Sequence, residues 1–186
     1  IFSEPALAKA SELTYNARKY DEALELYDRL ETVSNNKWNT VRAIAGKMRS
    51  AFKLERYRNA LEDATRLKEA EKSSVELLRE ANYIIAKSYY MLGNYDQAQT
   101  ALRTVAAETN SMEGAESKYL MAEIYFRKQN FDAAEKEVMD YIDKGTPHQF
   151  WLAKSFILLS DVYVARKDDF QAKHTLKSLI ENYPDK

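Results

Sequence analysis

The side chains able to do chemistry are few and far apart. The two histidines, His148 and His174, stand 26 positions apart, with no HExxH pair and no second histidine at ligand spacing, so no zinc site is expected. One falls in the first turn of a helix and the other on the outer face of the last helix, where both are expected to be solvated. Asp168 and Asp169 form an acidic pair that could serve as paired-carboxylate acid or metal ligands. They sit where a helix begins, however, and the macrodipole favours negative charge there; capping is the expected role. The four glycines, Gly46, Gly93, Gly114 and Gly145, are too scattered for a phosphate loop. The absence of cysteine removes thiolate chemistry, disulfides and zinc fingers together, and leaves the compartment open. Neither cofactor nor metal is called for, and the chain reads as non-enzymatic.

Charge and hydropathy narrow the partners. Lys and Arg total 28 against 29 Asp and Glu, a net charge of −1, which gives no excess of positive charge to hold a phosphate backbone; nucleic acid is not expected. The longest stretch free of charged residues is Gly145–Ala153, well short of the roughly 18 residues that span a bilayer. No membrane insertion is expected. Arg18 with Lys19, and Arg56 with Arg58, lie near turns and read as solvated rims.

What must position any functional side chain is a repeat. Ser88–Leu102, SYYMLGNYDQAQTAL, reads as the end of one helix, a turn at Gly93, and the start of a second helix folding back on the first. Ala98 is small enough to let the two helices approach. Its counterparts are Ala23, Ala60, Ala134 and Ala172, recurring every 36–38 residues, and Tyr20, Tyr57, Tyr95 and Phe131 stand three residues before the first four; Phe170 stands two before the fifth. The pattern predicts five helical pairs. The first runs from a cap at Ser3 to about Arg18, then from Tyr20 to about Val33; the second covers Trp38–Leu54 and Arg56–Ala70. The third opens with a capping box of Ser73 and Glu76, and its return helix starts at Asn94. The fourth starts at Asn110 with Glu113 three residues on. The fifth follows Gly145, with Thr146 as cap, Pro147 at the first helical position and Gln149 three residues after the cap.

Helix, turn and helix units with a small residue midway in the first helix, an aromatic after it and an alanine early in the second resemble the tetratricopeptide repeat. The small residue and its aromatic are Ala86 with Tyr89, Ala122 with Tyr125, and Ser160 with Tyr163; Pro184 matches the closing proline. The first-helix tryptophan of the family is replaced by Leu7, Ile44, Asn82, Lys118 and Phe156, and Ala64 stands where a large residue is usual. The resemblance implies an all-α, right-handed α-solenoid of about five units and ten antiparallel helices. It covers residues 1–186 as one array, with units near 4–36, 41–72, 79–110, 115–146 and 153–184. Stretched units that end in a phrase like LIENYP are similar to bacterial cell-envelope arrays, including outer-membrane assembly lipoproteins, which implies an envelope setting. A start at Ile1 reads as the cut end of a longer protein.

In such a stack the first helix of each pair lines the concave wall. The residues beside its packing face that are expected to form a peptide-binding groove are Tyr15, Arg49, Phe52, Tyr83, Lys87, Tyr90, Tyr119, Glu123, Phe126 and Asp161. The Lys and Asn constellation by which some relatives clamp a terminal carboxylate is absent: the corresponding positions from the first unit are Ala8, Glu12, Gly46, Glu80 and Ile84, and the later units match no better. The expected function is a protein-interaction scaffold holding an extended or helical apolar segment of a partner. The alternative is a noncatalytic regulatory or targeting segment of a larger enzyme. Leu176, Leu179, Ile180 and Tyr183 on the last helix are expected to be left uncovered, and to give weak self-association or to await a further helix.

Overall fold

A computed structural model describes residues 3–182. Ile1, Tyr183 and Pro184, invoked above, lie outside the described residues. Among these residues there are ten helices and no strand: α1 (Glu4–Asn16), α2 (Tyr20–Val33), α3 (Lys37–Lys53), α4 (Tyr57–Glu69), α5 (Val75–Met91), α6 (Tyr95–Val105), α7 (Met112–Arg127), α8 (Phe131–Lys144), α9 (Gln149–Ala165) and α10 (Asp169–Asn182). The residues group into two compact units, divided between Ala98 and Gln99 within α6.

All five turns inside the pairs are closed in one way. The residues Arg18, Glu55, Gly93, Gln129 and Lys167 have φ between 57° and 75°. Each donates its backbone N–H three residues back, and the next residue donates five back, as in Asn94 to the Tyr89 carbonyl and Asn130 to the Tyr125 carbonyl. This is the Schellman closure, which satisfies carbonyls left open at a helix end. Glycine adopts that backbone without penalty, as expected at Gly93. At the other four positions a β-carbon is forced into it at about 1–2 kcal/mol.

The small residues sit where close approach demands them. Ala23, Ala60, Ala98 and Ala134 have no accessible surface, and Ala172 is buried. In the first unit, Leu7, Ala8, Ala23, Tyr27, Leu30 and Ala43 pack as one cluster. A second cluster joins Val41, Ile44, Met48, Ala60, Ala64, Leu67, Ala81 and Ile84 across α3, α4 and α5. The tyrosine ring of Tyr27 lies where a β-carbon on Gly46 would be, so Gly46 is a contact glycine; Ala64 has no accessible surface. In the second unit, Ala122, Val138, Leu158 and Leu159 form one cluster, and Ala115, Tyr141 and Leu152 another. Within each unit neighbouring first helices lie side by side, α1 with α3, α3 with α5, and α7 with α9.

Several starts differ from the sequence reading. The cap of α5 is Ser74, whose hydroxyl accepts from Leu77 N–H, while the hydroxyl of Ser73 donates to the Leu67 carbonyl. The cap of α7 is Ser111, accepting from Gly114 N–H, rather than Asn110. Thr146 does not cap α9. Its hydroxyl ties two loops by donating to the Thr109 carbonyl, and α9 begins after His148. Ser3 occupies the cap position of α1 without a side-chain bond. Asp168 does cap α10, accepting from Gln171 N–H. On α10, Leu176 and Ile180 are 39% and 73% exposed.

Candidate functional site

The residues expected to form a groove lie on first helices, α1, α3 and α5 in the first unit and α7 and α9 in the second. All ten are placed beside the packing face; nine are half-buried and Asp161 is exposed. Each of four groove aromatics spends one face on the ring five residues later, across the Schellman turn. The pairs are Tyr15–Tyr20, Phe52–Tyr57, Tyr90–Tyr95 and Phe126–Phe131, with centroids 5.3–5.8 Å apart. Tilted or edge geometry at that distance is the favourable one for aromatic rings. The rings are therefore pinned from behind, and Phe52 also meets Tyr83 edge-on at 6.4 Å.

The charges in the two units differ in kind. In the first unit they cancel between adjacent helices. Arg49 on α3 donates through Nε, at 2.7 Å, and through Nη2 to the two carboxylate oxygens of Glu80 on α5. Arg42 on α3 bonds Glu12 on α1. The Glu80 hydrogen bonds raise the Arg49 pKa against the opposing effect of burial, so that they favour the charged guanidinium. Lys87 lies over the Tyr90 ring at 5.6 Å. In the second unit Glu123 accepts from Arg127 within its own helix. Tyr119 is pushed up to about 12, by burial first and then by Glu123. Burial also raises the carboxyl of Asp161.

Three residues absent from the sequence-derived row, Lys154, Trp151 and Phe150, gather beside Tyr119. Lys154 Nζ sits 4.7 Å from the Tyr119 centroid, 5.3 Å from Trp151 and 5.7 Å from Phe150. Trp151 meets Tyr119 at 5.6 Å and Phe150 at 5.0 Å, the second in an edge contact. The available signal is FWLAK two residues after the Gly145–Pro147 break: an aromatic pair with lysine three and four residues on lies over one helical turn.

The remaining chemistry is structural. The ring of His148 bonds the Asn110 carbonyl at 2.9 Å, so it is tied to the neighbouring loop while remaining partly exposed. His174 stacks on Phe170 at 6.4 Å. No group of three His, Cys, Asp or Glu able to hold a metal occurs among the described residues, nor any helix long and apolar enough to cross a membrane.

Two sequence profiles described as tetratricopeptide repeat match the chain, one over residues 83–150 and the other over residues 149–186. A search of the curated proteins finds no match. Among solved structures, a crystal structure of the MamA protein superimposes with TM-score 0.76 at 16% identity, covering 98% of this chain and 96% of that one. MamA from Desulfovibrio magneticus RS-1 gives 0.75 at 16% identity over 96% and 93%. YrrB, described as a tetratricopeptide protein with an unusual peptide-binding site, gives 0.71 at 15% identity over 98% and 88%. At these identities the likeness is one of fold.

Proposed function

The chain belongs to the tetratricopeptide repeat family, and from that premise we infer that it is a protein-interaction scaffold whose first helices hold a peptide or helical segment of a partner. The observation that carries the reading is the set of pinned aromatics on those helices, each with one face spent on its neighbour and the side chain still half-buried. Rings already fixed lose little freedom on binding, which is what makes aromatic anchors effective. YrrB, with its peptide-binding site, is a precedent for this use of the fold. Spacing that continues from Ala98 to Ala134 without a linker supports reading the five pairs as one array. The likeness to MamA of Desulfovibrio magneticus supports a bacterial setting. Nothing in the residue chemistry calls for catalysis.

The experiment is affinity capture of a partner from the source cell with three forms of the chain. Changing Tyr90 and Phe126 to alanine should lose the partner, each anchor contributing on the order of 1–2 kcal/mol or more. Changing Arg18 and Lys19 to alanine, both exposed at the first turn, should leave recovery unchanged. Equal recovery with all three forms refutes the groove.

A further inference from the structure

The exposed face of α9 carries two charges that no other described residue neutralises. Lys154 is held by three rings and has no carboxylate partner among the described residues. Asp161 has no hydrogen bond or ion pair among them, and burial alone raises its carboxyl. Between and beyond them stand Ile157 and Val164, both about half exposed (48% and 55%). The four residues follow the spacing of one helical face, reading cation, apolar, anion, apolar. The first unit differs, since there the charges on the first helices, Arg49 with Glu80 and Arg42 with Glu12, neutralise each other.

Resting on the reading of the first helices as recognition elements, we propose that α9 docks an amphipathic helix of a partner protein that presents a carboxylate to Lys154, a cation to Asp161 and apolar side chains to Ile157 and Val164. The spacing selects a helix. Lys154 and Asp161 are two turns apart, about 10.5 Å along the axis, which a partner helix matches with residues i and i+7 on one face. An extended segment would cover that span in about three residues, and side chains three apart on a strand point to opposite sides. The cage makes the cation a preorganised one: Lys154 is already held at a fixed place, so the long side chain gives up little further freedom when a carboxylate arrives.

The probes are alanine-based helical peptides with leucine at i+3 and i+10, and with glutamate at i and lysine at i+7, or glutamate at both, or lysine at both. The whole chain should bind the glutamate–lysine peptide about two- to five-fold more tightly than either like-charged one, the range expected for an exposed ion pair. Lys154→Glu turns the face into two carboxylates and should transfer the preference to the lysine–lysine peptide. The preference should vanish in about 1 M salt, and a proline at the centre of the peptide should abolish binding. Several results overturn the inference: equal affinity for all three peptides, an unchanged order in Lys154→Glu, undiminished binding of the proline form, or no binding of any peptide at about 1 mM. Equal affinities that are lost on changing Ile157 and Val164 to serine would leave the recognition-helix reading standing and remove the charge reading alone.

Discussion

Replacing Tyr141 by alanine is expected to destabilise the protein by about 3–5 kcal/mol, the usual cost of emptying a large aromatic site. Tyr141 is 1% exposed and packs with Ala115 and Leu152, with Trp151, Phe156 and Ile142 around it. Its counterparts one, two and three repeats earlier are Val105, Leu67 and Leu30, and one repeat later Leu179; Leu30 and Leu67 have no accessible surface. The position is a structural one in each pair, and at Tyr141 the largest side chain fills it. Met139, two residues away and 43% exposed, serves as the control: Met139→Ala should fall within about 0.5 kcal/mol of the parent. Chemical denaturation of both variants measures the difference. A Tyr141→Ala chain as stable as Met139→Ala would mean that α8 faces the other way.

The second large effect comes from adding volume. Ala134 and Ala98 have no accessible surface, as have Ala23 and Ala60, because each stands where the second helix crosses the first. Leucine at Ala134 or Ala98 must push the pair apart or force its neighbours off their rotamers, at about 1–3 kcal/mol. Ala165, exposed at the end of α9, accepts leucine with little change. Equal denaturation midpoints for Ala134→Leu, Ala98→Leu and Ala165→Leu would show the repeat register to be wrong.

The repeat was legible in the sequence because helix crossings admit few residue types. Small residues at fixed intervals, with an aromatic three before, leave a periodic trace that needs no structure. The turns left a weaker trace. Gly93 announces its left-handed backbone, but Arg18, Glu55, Gln129 and Lys167 adopt the same conformation because two backbone hydrogen bonds and the packing of the paired helices outweigh the side-chain penalty. Helix starts were misread by one or two residues wherever adjacent polar side chains compete for the cap, as at Ser73 and Ser74 or Asn110 and Ser111. The groove row could be placed on its helices from periodicity. Its partners could not: Glu80 meets Arg49 from 31 residues away, and the Lys154 cage draws Tyr119 from a different helix. Such contacts depend on how neighbouring first helices lie side by side, which no single helical face records.

The central claim, that partners are met by the first helices while the second helices serve as support, is tested most directly by site-specific photo-crosslinking in the source cell. A photoreactive phenylalanine analogue is placed singly at Tyr90 on α5, at Phe126 on α7, at Lys68 on α4 and at Lys136 on α8. Lys68 and Lys136 are exposed on second helices. The account predicts partner adducts from the positions of Tyr90 and Phe126 and none from those of Lys68 and Lys136. Adducts confined to Lys68 and Lys136 would contradict it.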